Sequence, residues 1–276
     1  MSLARVMAIV NRTPDSFYDK GATFDLDPAL SRCDEVIAAG ASIVDIGGVK
    51  AGPGKAVDAA EEIDRVVPTI EKVHERHPDV LISVDTWRSE VAEAAIAAGA
   101  GLVNDTWAGW DPELIEVAGH HRVGYVCSHT GGITPRTRPH RVHFDDVVAD
   151  VIAETTQLAE RAAALGCPED LTFIDPTHDF GKNTFHGLEL LRRIDEVVAT
   201  GWPVLMALSN KDFVGETLDR GVGERVAGTL AATAWSAARG VAAFRVHEVA
   251  ETADVIRMTA AIQGEVAPLA TTRGLA

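Results

Sequence analysis

The feature that most limits the possible folds is a regular alternation of two hydrophobic periodicities along the whole chain. Short runs rich in β-branched and apolar residues alternate with longer alanine-rich stretches that place apolar residues at i, i+3 and i+4. Near-continuous apolar strands separated by amphipathic helices are typical of a parallel sheet covered by helices. The candidate strands are 5–10, 42–46, 80–84, 101–104, 122–127, 171–174, 202–208 and 241–246.

Eight strand–helix units in 276 residues match the size of a closed (β/α)8 TIM barrel, with the last helix predicted at 248–263. An open, doubly wound sheet is the alternative. The dinucleotide-binding version of that fold is disfavoured, because no GxGxxG follows the first strand. The pattern contains no internal linker, so the sequence predicts a single α/β domain over residues 1–276.

The charge balance narrows the possible partners. A formal net charge of −16 argues against binding to nucleic acid or to an anionic membrane, since the general field repels both. No apolar run approaches the roughly 18 residues of a spanning helix, and the first residues lack the cleavage pattern of a signal peptide. Three cysteines without a C-x-x-C motif are expected as free thiols in a reducing cytoplasm.

The glycine-rich stretch GGVKAGPG at 47–54 is the first candidate for a binding loop. A phosphate-binding P-loop requires G-x-x-x-x-G-K followed by Ser or Thr, and Lys55 is followed by Ala56. The stretch is therefore not a nucleotide loop, and its role depends on its place after the second strand.

Every predicted strand is followed by polar residues. In a barrel of this kind the C-terminal ends of the strands form one rim, which carries the active site. A single Asp or Asn there is as well explained by helix capping, but eight together indicate a site. The residues are Asn11, Asp45, Asp85, Asn104, Asp105, Ser128, His129, Asp175, Ser209, Asn210, Lys211, Arg245 and His247.

These rim residues have a chemical character. The carboxylate and amide groups after strands 3, 4 and 6 suit the paired N–H donors of a planar heterocycle. The cations on strands 7 and 8 lie where such barrels often bind phosphate. The first group is Asp85, Asn104 and Asp175, and the second is Lys211, Arg245 and His247. The pattern predicts a pocket for a polar heterocycle with an anionic or phosphorylated arm.

Seven motifs carry a family resemblance over nearly the full chain: MAIVNRTPDSF, ASIVDIGG, ISVDTWRSEVA, LVNDTWAG, FIDPTHDFGKN, LSNKDFVGE and FRVHEV. In order and spacing they resemble dihydropteroate synthase, the folate-pathway enzyme of the pterin-binding barrels. That family joins 6-hydroxymethyl-7,8-dihydropterin pyrophosphate to p-aminobenzoate and releases pyrophosphate with the help of Mg²⁺. Within that family the chain resembles the divergent second synthase-like paralogue of actinobacteria.

The resemblance implies a role for each matching residue. Asp85, Asn104, Asp175, Lys211 and Arg245 would bind the pterin. Asn11, Arg245 and His247 would bind the pyrophosphate, with Asn11 also near the metal, and Phe180 would belong to the p-aminobenzoate end. Lys211, Arg245 and His247 would act in catalysis, which rests on stabilising the departing anion and positioning the amine. The resemblance also implies a homodimer formed through outer helices.

The second-substrate half departs from the family pattern. Family members usually read S-T-R-P-G after the strand 2 glycines, whereas this chain has Lys50, Ala51 and Gly52 before Pro53. The strand 7 motif S-R-K-S has become Ser209-Asn210-Lys211-Asp212. An Asp at a helix start is a good N-cap, so Asp212 is predicted to occupy the site of the aminobenzoate carboxylate with the protein's own charge.

Two smaller departures accompany these. Arg12 replaces the usual apolar residue of the first loop, either as a surface arginine or as a new anion contact. Residues 177–179 read Thr-His-Asp where the family has a glycine-rich D-P-G-x-G-F-G-K. Because the changes cluster on one substrate, the sequence predicts a pterin pyrophosphate binder with weak or lost p-aminobenzoate condensation.

Three alternatives remain open at this point. The first is an active dihydropteroate synthase whose altered loops are tolerated. The second is a pterin binder without that reaction. The third is a folate-dependent methyltransferase of the same superfamily, which is disfavoured because those enzymes lack the T-P-D-S-F loop found at 13–17. His129 is a candidate catalytic base in any of them, although a histidine satisfied by its neighbours is the simpler reading.

Overall fold

The computed structural model describes residues 3–13, 23–137 and 142–273. Eight parallel strands form one sheet in the order β6-β5-β4-β3-β2-β1-β8-β7. They are β1 Arg5–Asn11, β2 Ile43–Gly47, β3 Leu81–Asp85, β4 Leu102–Asp105, β5 Gly124–Ser128, β6 Thr172–Asp175, β7 Leu205–Met206 and β8 Ala243–Val246. A bridge between Ile174 and Val204 brings β6 to β7. The sheet is a nearly closed barrel, as predicted.

Ten helices among the described residues surround the sheet. They are α1 Leu26–Ala38, α2 Ala59–Arg76, α3 Ser89–Ala97, α4 Leu114–His121, α5 Val147–Leu165, α6 Thr184–Arg192, α7 Ile194–Val198, α8 Asp212–Leu218, α9 Val226–Ala237 and α10 Val249–Ile262. Of the T-P-D-S-F stretch at 13–17, only Thr13 lies within the described residues. None of the described helices is both long enough and apolar enough to cross a bilayer.

Local sequence signals set the ends of these helices. The carboxylate of Asp146 accepts hydrogen bonds from the backbone N–H groups of Val148 and Ala149 at 2.9 and 3.1 Å, which caps α5. The same helix ends at Gly166, whose φ of 115° favours glycine. Capping polar residues and a terminal glycine therefore fix the longest helix where the hydrophobic pattern predicted it.

Strand β7 is much shorter than the predicted 202–208. Pro203 has no N–H to donate, and it contributes only its carbonyl oxygen, which accepts from Ile174 N–H at 2.9 Å. At the other end the chain turns at Asn210, whose φ is 56°. The apolar run is buried throughout Val204–Leu208, but only two of its residues keep the regular ladder.

Two hydrophobic clusters build the core. The larger lies between sheet and helices, and the smaller is formed by Met7, Ile43, Leu102, Val126, Phe173, Leu205 and Ala243. Each of the smaller cluster's residues comes from a different strand, as expected for a packed barrel interior. This cluster closes the barrel interior between its two ends.

Candidate functional site

A cavity of about 360 Å³ opens at the C-terminal rim. Nine of the predicted site residues line it: Asn11, Lys50, Ala51, Gly52, Asp85, Lys211, Asp212, Arg245 and His247. The other lining residues are Ile9, Thr13, Val49, Asp179, Ala207, Ser209 and Asn210. The predicted residues Asn104, Asp175 and Phe180 do not line it. The structure therefore brings nine of the predicted residues together at one cavity of the rim.

An arginine bridges two carboxylates in the cavity wall. Arg245 donates from Nε to Asp45 Oδ2 and from Nη2 to Asp85 Oδ2, both at 2.6 Å. Asp85 also accepts from the hydroxyl of Thr106 at 2.9 Å. Burial lowers the pKa of Arg245, but the charges of Asp45 and Asp85 outweigh it and the pKa rises. The guanidinium therefore stays charged and holds the facing carboxylates in place.

Asp45 is the centre of this network, although the sequence reasoning left it out of the pterin set. Its side chain is fully buried and accepts from Ser83 Oγ at 2.6 Å and Asn104 Nδ2 at 3.1 Å. The sequence signal for it is that Asp45 is the one charged residue of the apolar run 42–46. In the structure Asp45 pairs with Ile9 across the first two strands, and Ile9 lines the cavity.

Two buried carboxylates resist ionisation. Burial raises the pKa of Asp85, while the charge of Arg245 opposes the rise. Burial raises the pKa of Asp175 to about 6, while a hydrogen bond from the backbone N–H of Thr177 at 2.7 Å opposes the rise. Shifts of this kind are common at binding sites, where a ligand's N–H groups complete the solvation of the carboxylate.

A second polar cluster connects β7 to β8. Ser209 Oγ lies 2.8 Å from His247 Nδ1 and donates to Glu248 Oε2 at 2.8 Å. Glu248 Oε1 accepts from Asn210 Nδ2 at 2.7 Å. Asn210, which replaces the family's usual arginine, therefore points into this buried cluster, and the cluster fixes the orientation of the His247 ring.

The start of α8 differs from the prediction. Lys211, not Asp212, is the N-cap residue, and Asp212 is the first residue of the helix. The Asp212 side chain is 73% exposed and pairs with Arg225 at 2.8 Å. The capping carboxylate comes from elsewhere: Asp179 accepts from the backbone N–H of Asp212 at 2.5 Å and of Phe213 at 3.4 Å. The prediction that Asp212 caps this helix is therefore wrong, and the first backbone N–H groups of α8 donate to Asp179 instead.

The turn that presents Asp179 is strained. Thr177 has a φ of 51° and Asp179 a φ of 68°, at two positions where the family motif has glycine. A left-handed conformation costs an L-residue about 1–2 kcal/mol, and a β-branched residue such as threonine is rarely found there. Thr177 offsets part of this cost because its hydroxyl accepts from His129 N–H at 3.1 Å and donates to the Asp175 carbonyl at 2.9 Å.

The ring of Phe180 is already in contact on two sides. The ammonium of Lys211 lies 4.8 Å from the ring centroid, and Trp107 packs against it edge-on at 5.2 Å. Burial lowers the pKa of Lys211, while the charge of Asp179 opposes the shift. Phe180 thus supports Lys211 from outside the cavity lining, and its role at the aminobenzoate end stays a prediction.

The glycine-rich loop after β2 requires Gly48 for its close packing. A Cβ on Gly48 would lie 2.9 Å from Val66 and 3.0 Å from Glu62, and the Gly48 carbonyl accepts from Arg65 Nη1 at 2.7 Å. Beyond it, Lys50, Ala51 and Gly52 line the cavity. The loop keeps its close packing on α2 but presents neither a hydroxyl nor a guanidinium to the cavity.

The surface reading of Arg12 is wrong, because this side chain is only 8% exposed. Burial lowers the pKa of its guanidinium, and the nearby charge of Asp25 opposes the shift. Nε and Nη1 have no hydrogen-bond partner in the described part of the chain. Arg12 does not line the cavity, so its contact with an anion stays a prediction.

One group within the described residues has the composition of a metal site. His129 Nε2 lies 2.7 Å from Asp150 Oδ1 and 3.4 Å from Glu154 Oε2. None of the three residues lines the cavity. Burial lowers the pKa of His129 to about 4, so the ring is neutral at pH 7. The arrangement is that of a histidine held by its neighbours, and it does not face the site.

The comparisons with known proteins agree with the geometry. Residues 7–247 match the family of pterin binding enzymes. A Mycobacterium leprae protein named inactive dihydropteroate synthase 2 is 60% identical over 98% of this chain and 94% of its own length. The dihydropteroate synthase of Staphylococcus haemolyticus is 38% identical over 90% of this chain and 91% of its own.

A solved structure supports the same fold. The dihydropteroate synthase of Xanthomonas albilineans, determined with 4-aminobenzoic acid, superposes with a TM-score of 0.85 at 38% identity. The match covers 95% of this chain and 93% of that one. Both the barrel and the sequence motifs are therefore shared along nearly the whole length.

Proposed function

The chain belongs to the pterin-binding enzyme family, among the dihydropteroate synthases, and on that premise we propose that it binds a dihydropterin pyrophosphate while condensing p-aminobenzoate weakly or not at all. One observation carries the second half of this proposal. The backbone N–H groups at the start of α8 already bind the carboxylate of Asp179. The relative named inactive dihydropteroate synthase 2 supports the same conclusion.

The pterin half of the cavity retains the groups that a pterin requires. Asp85 lines the cavity and Asp175 lies outside its lining, and both would supply carboxylate acceptors for the amino and ring N–H groups of the pterin. Arg245, held between Asp45 and Asp85, would form a fixed wall for the ring. Asn104 is anchored to Asp45 at 3.1 Å, and Lys211 completes the set.

The pyrophosphate half is formed by Asn11, Arg245 and His247, which all line the cavity. The amide of Asn11 is the kind of oxygen ligand that Mg²⁺ accepts beside phosphate oxygens and water, so the residues present fit a metal bound mainly through the ligand. Mg²⁺ would neutralise charge on the pyrophosphate. His247, oriented by Ser209, would lie against the same group.

The second-substrate half no longer offers a binding site for a carboxylate. The carboxylate of p-aminobenzoate would face Asp179 at the start of α8. Two like charges about 4 Å apart repel each other by about 1–4 kcal/mol at intermediate dielectric. The usual Thr and Arg of the β2 loop are absent, and Asn210 is bonded to Glu248. Affinity for p-aminobenzoate should therefore be low, even with the pterin in place.

A thermal-shift series tests the proposal. Dihydropterin pyrophosphate should raise the melting temperature, because a ligand that binds only the folded state stabilises it by mass action. Mg²⁺ should increase the shift, and p-aminobenzoate should add nothing. The Staphylococcus haemolyticus synthase, treated identically, is the matched control. If dihydropterin pyrophosphate does not change the melting temperature, the proposed pterin binding is refuted. If p-aminobenzoate raises the melting temperature further, the proposed loss of p-aminobenzoate binding is refuted.

Pterin affinity should depend on pH through Asp175. Its pKa of about 6 means that the carboxylate is ionised above pH 6 and protonated below it, so its capacity to accept pterin N–H groups is lost as the pH falls. One carboxylate should weaken binding about tenfold for each pH unit below its pKa. Calorimetric titration at pH 5 and pH 7.5 measures the change. Inorganic pyrophosphate, which does not use the carboxylate, is the control, and equal losses for both ligands would contradict the assignment.

We also propose a homodimer, which α9 is suited to form. The helix has no charged residue, and its polar side chains Thr229, Thr233 and Ser236 are buried. Its outward surface presents instead Ala227, Ala231 and Trp235, with Trp235 45% exposed. A helix whose apolar residues face outward requires a partner surface.

Replacing Ala231 by arginine should convert the dimer to a monomer, because the new charge would be buried without a partner. Light scattering after size-exclusion chromatography measures the mass. Ala153→Arg, at an exposed position on α5, is the control. A parent protein that elutes with the mass of one chain would contradict the proposal.

Two broader expectations remain predictions. A single domain over residues 1–276 is supported by the one continuous sheet. A reducing, cytoplasmic setting is supported by the three cysteines, which are buried and unbridged.

A further inference from the structure

The second-substrate end of the cavity has gained the carboxylate of Asp179, which lies in the same lining as the cation of Lys50. The family's hydroxyl and guanidinium are replaced by Ala51 and Gly52, and the donors at the start of α8 are taken by Asp179. A carboxylate offers about four acceptor positions, and the two backbone N–H groups use two of them. Asp179 lines the cavity, so it retains capacity to accept from a ligand.

The cavity has not been filled in the process. Val49, Ala51 and Gly52 are small, and they line a volume of about 360 Å³ together with Asp179 and Lys211. If the second ligand had simply been lost, larger side chains could occupy the space and gain buried apolar area. The same volume also contains the proposed pterin and pyrophosphate positions, and a second ligand would share it with them.

The backbone conformation strengthens this reading. Asp179 is held at a φ of 68° and Thr177 at 51°, in a turn where glycine would be relaxed. Strained residues persist where the surrounding structure holds them, and an observed outlier of this kind points to function. This turn places the carboxylate of Asp179 in the cavity lining.

We infer that the second subsite binds an amine without an anionic group and prefers one with a cationic group. The inference rests on the proposed pterin site, because that ligand would form the floor against which the second one packs. Asp179 would accept hydrogen bonds from the cation, while Lys211 remains over Phe180 at 4.8 Å. The small side chains of the β2 loop would contact the ligand's apolar body.

Three probes with one common ring test the inference: 4-aminobenzamidine, aniline and 4-aminobenzoate. Each is titrated by calorimetry into the protein with Mg²⁺, both with and without dihydropterin pyrophosphate. The amidine should bind at least about tenfold more tightly than the benzoate, with aniline between them. Equal or tighter binding of 4-aminobenzoate, or no binding of any probe, would overturn the inference. Binding of dihydropterin pyrophosphate alone is titrated separately, so a failure of the proposed pterin binding is distinguished from a failure of this inference.

The variant Asp179→Asn identifies the residue responsible. Asparagine is also a good cap and tolerates a positive φ, so the turn should persist while the charge is removed. The preference for the amidine over the benzoate should fall at least about tenfold. Asp195→Asn, at the opposite end of the barrel beside Arg239, should leave the preference intact. A preference that survives Asp179→Asn would overturn the assignment to this carboxylate.

Discussion

Replacing Arg245 by methionine is expected to lower the free energy of unfolding by about 3–5 kcal/mol, because it leaves a buried carboxylate without its counter-charge. Asp45 is fully buried and Arg245 is only 17% exposed. The remaining donors to Asp45, Ser83 and Asn104, are neutral. The same change removes the fixed wall of the pterin site, so pterin pyrophosphate should cease to shift the melting temperature. No other single substitution is expected to affect both properties so strongly.

Urea denaturation measures the first effect, and the midpoint should fall without a change in slope. Combining Arg245→Met with Asp45→Asn should recover part of the loss, since an amide removes the unpaired charge. Arg245→Lys is the matched variant that keeps the charge but cannot bridge two carboxylates in a fork. If Arg245→Met has the same free energy of unfolding as the parent protein, the two ion pairs contribute nothing to folding stability.

Restoring glycine at position 179 is expected to raise affinity for p-aminobenzoate at least about tenfold, because a repulsion of about 1–4 kcal/mol is removed. The backbone N–H groups of Asp212 and Phe213 would then be free to bind the ligand's carboxylate. Gly52→Arg in the same chain should add a cation and increase the gain. Affinity is measured by calorimetry with pterin pyrophosphate present.

The control for this prediction is Asp212→Ser with Gly52→Arg, the pair that the sequence alone suggests. It leaves Asp179 in place, and the Asp212 side chain already pairs with Arg225. Its gain in affinity for p-aminobenzoate should therefore be smaller than the gain of the double variant Asp179→Gly with Gly52→Arg. If the two double variants gain equally, the blocking group is not Asp179.

Much of the fold follows from the sequence, for physical reasons that particular elements show. The parallel strands are buried on both faces, so their apolar runs are easy to recognise, as at Ile43–Gly47, where every residue is buried. Strand β7 is shorter than predicted, because an apolar run in the sequence shows which residues are buried but not which of them form backbone hydrogen bonds. Pro203 and the turn at Asn210 remove most of its ladder.

The site was predictable in position and less so in detail. Strand ends identify the rim, but they do not tell which side chain reaches which neighbour. Asp45 and Asp85 both follow strands, and only the structure shows Arg245 between them. Likewise, the sequence signals a capping aspartate at α8, whereas the cap comes from Asp179, which is 33 positions away in the chain. Local sequence patterns carry no information about contacts between loops that are far apart in the chain.

The most direct test of the account is turnover of the purified protein with dihydropterin pyrophosphate, p-aminobenzoate and Mg²⁺, followed by chromatographic detection of dihydropteroate. The Staphylococcus haemolyticus synthase is assayed in parallel, and binding of the pterin ligand is verified in the same sample by its thermal shift. We expect the pterin to bind while dihydropteroate forms at least about a hundredfold more slowly than in the control, as the lost second-substrate contacts imply. Formation of dihydropteroate at the rate of the control enzyme would contradict the account.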